Sequence, residues 1–112
     1  MSKHRLLGGF ETLLLIAVLR LDNRAYGVTI RQELIDRADK DVAVGAIYTG
    51  LERLGKKGFV KSRYGEPTPE RGGRAKRFYR VTALGVTALQ ETQTAIQNLS
   101  EGLDLSPTHS HA

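Results

Sequence analysis

The chain has 112 residues, 40% of them apolar and none of them cysteine. That length and apolar content suit one small folded domain with a modest core, and the missing thiols exclude disulfides, cysteine-ligated metals and thiol catalysis. The net charge of +5 is unevenly spread: all 17 Lys and Arg residues lie at or before Arg80, so residues 1–81 carry +8 and residues 82–112 carry −3. Within 53–80 ten basic residues face only Glu66 and Glu70. Such a segment is the footprint of a phosphate-binding surface, and equally of a solvated basic face with no partner.

At the start, Lys3, His4 and Arg5 precede the apolar run Leu13–Leu19, an arrangement that imitates a signal peptide. The imitation fails at Arg20, Asp22 and Arg24, which offer no small-residue cleavage site. Seven apolar residues are also far short of the roughly 20 that span a bilayer. The expectation is a cytoplasmic chain with no membrane partner. Residues 8–21 read as a helix that is apolar all round and therefore buried on more than one side. In so small a domain the extra side can face a second subunit.

A polar turn at Asp22-Asn23-Arg24 leads to a second helix over 27–38, with Ile30, Leu34 and Ala38 at spacing four. Val42-Ala43-Val44 reads as a very short strand. A third helix follows over 45–57, where Ile47, Leu51 and Leu54 give one narrow apolar face. Gly58, after the basic residues of the last turn, is its natural stop. Two strands, Phe59–Tyr64 and Lys76–Val81, flank a loop with two prolines and several glycines. In the second strand Tyr79 and Val81 share one face and Arg80 takes the other.

Thr82 is a good N-cap for a last helix over 83–103. There Leu89, Ile96 and Leu103 recur seven apart, with Leu99 beside them and Thr92 in the matching place. This imperfect heptad seam favours a second subunit over the helix's own domain, because about 21 helical residues extend about 30 Å. Residues 104–112 read as a disordered tail.

The order of elements predicts a mainly helical α+β fold: a winged helix-turn-helix over 1–81 with a two- to three-stranded wing, then a C-terminal dimerisation helix over 82–103. A helix about 10–12 Å across fits a major groove about 12 Å wide, and a basic hairpin loop can reach phosphates alongside. Gly45, Ala46, Tyr48 and Thr49 open the third helix as candidates for base reading; Arg53, Lys56 and Lys57 follow as candidates for phosphate. Tyr48 can instead be an aromatic at the core edge, and Glu52 can simply pair with Lys56. In the wing, Arg71, Arg74, Lys76 and Arg77 surround Gly72 and Gly73, suited to a close approach to phosphate or to a solvated loop.

Enzyme chemistry is excluded by the absence of cysteine, by acids scattered singly, and by histidines confined to positions 4, 109 and 111. No cofactor is implied, and His109-Ser110-His111 reads as tail rather than as a metal site. The alternative class is a winged-helix module that binds protein or RNA.

Several of these segments together resemble PadR-type transcription regulators. They are Ala46-Ile47-Tyr48-Thr49-Gly50-Leu51-Glu52-Arg53-Leu54, Lys57-Gly58-Phe59-Val60, the run Gly73–Thr82, Gly85, Leu89, and Tyr26-Gly27 opening the second helix. The similarity spans about residues 8–103, with the single C-terminal helix of the shorter branch. It implies a homodimeric winged-helix protein on double-stranded DNA, usually a repressor, with Tyr26 joining the DNA-contacting set. The dimer interface it implies is formed by the first and last helices, through Phe10, Leu13, Leu14, Ala17, Leu89, Ile96, Leu99 and Leu103. Two departures stand out. Val44-Gly45 replaces the Ser or Thr frequent before the recognition helix, and Gly can cap there without a side-chain phosphate contact. The chain also has no Trp, so the ligand sandwich of some short relatives cannot form, and any small-molecule effector is unassigned.

Overall fold

The computed structural model describes residues 6–65 and 75–107. Four helices and one hairpin are present in the order α1 (Gly9–Leu21), a single 3-10 turn (Asp22–Arg24), α2 (Gly27–Ala38), α3 (Val44–Lys56), β1 (Val60–Tyr64), β2 (Arg77–Val81) and α4 (Ala83–Ser100). The strands pair antiparallel, with Val60 opposite Val81 and Ser62 opposite Tyr79.

The core follows the apolar spacings. Leu14, Leu15 and Val18 of α1, Ile30 and Leu34 of α2, and Ile47, Leu51 and Leu54 of α3 are buried together. Val60 and Tyr79 close the core from the hairpin, and Ala88 and Leu89 from α4. Each fully buried Leu, Ile or Val side chain contributes about 1.5–3 kcal/mol. Helix α1 crosses α3 at Gly50, where a Cβ would sit 2.6 Å from Leu14 Cδ1.

Two expectations are corrected. Val42–Val44 forms no strand: Arg31 holds the carboxylate of Asp41 at 2.6 Å and donates from Nε to the Val42 carbonyl at 3.1 Å, and Val44 already belongs to α3. The last helix stops at Ser100 rather than at residue 103, because Gly102 at φ +80 turns the chain, and Leu103 donates back to the Ser100 carbonyl at 2.9 Å. The wing has two strands among the described residues. In place of a third, the Tyr79 amide donates to the Ala25 carbonyl at 2.8 Å.

One junction ties α3, the hairpin and α4 together. Gly58 takes φ +81, and the amides of Gly58 and Phe59 donate to the carbonyls of Gly55 and Leu54, a Schellman ending for α3. The Phe59 carbonyl accepts from the Thr82 amide at 2.9 Å, and the Thr82 hydroxyl donates to the Gly58 carbonyl at 2.6 Å. Thr82 also caps α4, accepting from the Gly85 amide at 3.1 Å. A Cβ on Gly85 would collide with the Phe59 carbonyl oxygen and lie 2.7 Å from Val81 Cγ1.

Gly85→Ala is therefore expected to destabilise by about 1–3 kcal/mol, since rigid backbone must move. Each kcal/mol lowers Tm by about 4–8 °C in a domain this size. Gly50→Ala should cost less: the ends of the Leu14 and Phe10 side chains must yield rather than backbone, and Ala favours helix over Gly by about 1 kcal/mol. Thermal unfolding followed by circular dichroism checks the order, and equal losses would contradict this account of the junction.

Candidate nucleic-acid interface

The apolar face of α3 is spent on the core, so its other faces define what it can offer. Gly45, Thr49 and Arg53 lie exposed along its outer crest. The Thr49 hydroxyl donates to the Gly45 carbonyl at 3.0 Å, which commits its proton to the helix and leaves the methyl and an oxygen lone pair for a partner. Lys56 is exposed, with Glu52 one turn earlier at 3.8 Å. At that distance and exposure the pair is worth little, and Lys56 stays available.

Between α3 and the hairpin runs an open cleft of ≈ 670 Å³, whose wall includes Tyr26, Tyr48, Lys56, Lys76, Arg77 and Tyr79. Aromatic rings position its cations. Lys76 Nζ lies 4.7 Å above the Tyr26 ring, and the Arg77 guanidinium lies 5.7 Å from the Tyr64 ring and 5.6 Å from that of Tyr79. Arg77 also donates from Nε to Ser62 Oγ at 3.1 Å. Such cation–π contacts contribute about 0.5–1 kcal/mol each at exposed sites, enough to bias a side chain without immobilising it. Tyr26 is braced by Phe78, edge to face at 5.4 Å. Burial pushes the Tyr79 phenol up from its ordinary value, against the lowering effect of the Arg77 charge, so it remains a neutral hydroxyl at pH 7.

Both readings of Tyr48 have a basis in this geometry. Its ring lies against Gly27, where a Cβ would come within 2.6 Å of the phenol oxygen, yet the residue is 38% exposed to the cleft. Ala46 sits elsewhere, with Phe10, Leu13 and Val42 around a separate groove. Lys57, expected to meet phosphate, instead holds Glu11 of α1 at 2.7 Å. Arg71 and Arg74 lie outside the described residues.

The dimer candidates divide. Leu14 is 0% exposed, and Ala17 and Leu89 are buried in the chain's own core, so their surface is already used. Thr92 is buried too, accepting from the Leu7 amide at 3.1 Å. Phe10 and Leu13 are half-buried, whereas Ile96, Leu99 and Leu103 remain exposed. The heptad seam thus changes owner partway along α4.

Lys61, Arg63 and Arg80 were counted in the basic segment, but they stand on the hairpin face opposite to Ser62, Arg77 and Tyr79. Strand alternation at Tyr79-Arg80-Val81 carries that signal; a charge sum does not. Among the described residues no group of three or more His, Cys, Asp or Glu could hold a metal, and no helix is long and apolar enough to cross a membrane.

Comparison with known proteins decides what this frame is. The model of the transcriptional regulator PadR-like family matches residues 15–91. The chain belongs to that family. An uncharacterized protein of Lysinibacillus sphaericus is 30% identical over 100 residues, covering 88% of this chain and 87% of its own. A PadR family transcription regulator from Clostridium difficile R20291 superposes with a TM-score of 0.63 at 25% identity, covering 82% of this chain and 95% of its own. A PadR family regulator from Eggerthella lenta shares the fold at a TM-score of 0.65 and 24% identity, over 81% and 77% of the two chains. This PadR-like chain is accordingly a DNA-binding transcriptional regulator with a winged-helix fold, and not an enzyme.

Glu11 supplies a pH test of the scaffold beneath α3. Its partial burial raises the carboxyl, but the hydrogen bonds from Lys57 and the Gly8 amide and the charges of Lys57 and Arg53 outweigh that and leave it lowered. A lowered folded pKa means stabilisation that is present above the ordinary carboxylate value and lost as pH falls through the folded one. Lys57 is 44% exposed, so the pair is screened and worth at most about 1 kcal/mol. Glu11→Gln should therefore be slightly less stable than the wild type in urea at pH 7, with the gap closing as pH falls below the ordinary carboxylate range and in about 1 M salt. A gap that persisted in acid would assign the loss to packing instead.

Proposed function

We propose that this chain is a dimeric, sequence-specific DNA-binding repressor. The observation that carries the DNA reading is the shared side of α3 and the hairpin. Exposed Gly45, Thr49, Arg53 and Lys56 adjoin a cleft whose far wall presents Lys76 and Arg77, with Glu52 as the single acid lining it among the described residues. In this reading Thr49 and Tyr48 face base edges, while Arg53, Lys56, Lys76 and Arg77 meet phosphates. Tyr26 acts with them by seating Lys76.

The dimer rests on α4. The radius of gyration is 16.5 Å, against about 13 Å expected for a compact chain of this length. The second half of α4 carries the apolar excess: Ile96 is 57% exposed and Leu99 83%, and Leu103 just beyond is 62% exposed. Apolar side chains held in water on a projecting helix favour a second copy, with half-buried Phe10 and Leu13 of α1 as the complementary surface. A repressor needs only to cover its operator, which a small dimer does by occupying it.

Replacing Lys76 and Arg77 with Ala should weaken operator and random duplex alike and flatten the dependence of affinity on salt by about one unit of slope per lost contact. Thr49→Val should shift sequence preference and leave the slope unchanged. Selection of duplexes from a random pool, followed by salt titration, reads both, and affinity insensitive to salt would sink the DNA reading. Leu99→Asp should convert a dimer to a monomer in sedimentation. A wild type already monomeric at micromolar concentration would refute the dimer.

A further inference from the structure

The hairpin carries a second cationic face. In the strand register Lys61 stands directly opposite Arg80, and Arg63 opposite Phe78, all on the face turned away from α3. All three cations are exposed, and none has an ion-pair partner among the described residues. Arg63 lies over the Phe78 ring at 4.8 Å, which seats its guanidinium on that face. Among the described residues, the one acid in the small hollow that all three line is Asp22. Like charges placed directly across a sheet destabilise it, by tenths of a kcal/mol up to about 1 kcal/mol. Among the described residues only Asp22 and the Phe78 ring offset that cost, which leaves a net positive strip suited to a polyanion.

We propose that Lys61, Arg63 and Arg80 form a second phosphate-contacting strip, so that the hairpin meets the two backbones bordering a minor groove, one on each face. The inference rests on the DNA-binding reading above and extends it to the other strand. The hairpin is one layer thick, so both faces lie beside whatever its edge enters. Arg77 lies on the α3 side with Ser62 and Tyr79, Lys76 just before the strand lines the same cleft, and the outer side presents this strip. Lys61 and Arg63 are two residues apart, an advance of about 6.8 Å along the strand. That is about twice the ~3.4 Å rise between successive phosphates of one DNA strand, so two neighbouring cations can keep step with one backbone. The minor groove, about 6 Å wide, sets its two backbones close enough for long Lys and Arg side chains to reach from a single ribbon.

The test compares the wild type with Lys61→Gln/Arg63→Gln/Arg80→Gln on a duplex selected by the wild type. Affinity is measured from about 50 to 200 mM salt, and ethylation interference maps the essential phosphates. The expected result is a salt slope lower by about 2–3 per bound chain, an affinity lower by about ten- to a hundredfold, and loss of a phosphate cluster on one strand. The cluster contacted through Lys76 and Arg77 on the other strand should persist. An unchanged slope, or a reduced slope with every essential phosphate retained, overturns the proposal and leaves the DNA reading intact. A wild type with no salt-dependent binding at all overturns both. Should the triple variant not fold, Lys61→Gln alone should lower the slope by about 0.9 per chain, and no change there has the same overturning force.

Discussion

The junction around Phe59 is the constraint on which the rest of the molecule depends. Three elements end or begin within a few residues of it, and their polar groups are satisfied by one another. Phe59 donates to the last turn of α3 and accepts from Thr82, while Thr82 reaches back to Gly58 and forward to Gly85. Buried backbone groups without partners are costly, so this closed set leaves little freedom for the hairpin to swing against α3. The width of the cleft between Tyr48 and Arg77 is fixed here, as is the direction in which α4 leaves the body. Two glycines make the arrangement feasible: Gly58 by its positive φ, and Gly85 by the absence of a side chain where the first turn of α4 meets the Phe59 carbonyl.

Electrostatics are arranged around that frame. Basic residues near α1 and α2 are mostly committed: Arg20 and Arg37 to Glu33, Arg31 to Asp41, and Lys57 to Glu11. These pairs neutralise the scaffold and brace the approach to α3. Apart from Arg24 and Lys40, the described cations left without strong partners gather on the outer crest of α3 and on the hairpin. A net charge of +5 therefore understates the local field, because several acids are used where the helices meet each other and, among the described residues, only Glu52 and Asp22 line the two basic surfaces.

Much of the fold is legible from spacing. Ile30 and Leu34, then Ile47, Leu51 and Leu54, announce amphipathic helices, and each is buried as its period requires. Thr82 announces the start of α4 and Gly58 the end of α3, because caps are local chemistry. Val42–Val44 misleads because β-branched residues favour strands, whereas here a single Arg31 contact to the Val42 carbonyl and the early start of α3 decide the segment. The seam of α4 misleads differently. Leu89 and Leu103 look equivalent in the heptad, but the body of the domain reaches only as far as Thr92, and Ile96, Leu99 and Leu103 beyond it are exposed on the single chain.

The candidate interface shows the same division. Residue type and order identify α3 and the hairpin as basic elements next to one another in sequence, and the motifs around Tyr48 and Phe78 mark the family. Whether Lys57 is free or tied to Glu11, whether Ala46 turns toward α3's outer crest or toward Phe10, and which hairpin face holds Arg63 depend on contacts between residues far apart in the chain. The sequence by itself determined the element types, their caps and the excess of positive charge, since these follow from local periodicity and composition. Only the tertiary structure decided which cations remain unpaired and which apolar residues remain exposed, because both are differences left over after long-range packing has taken its share.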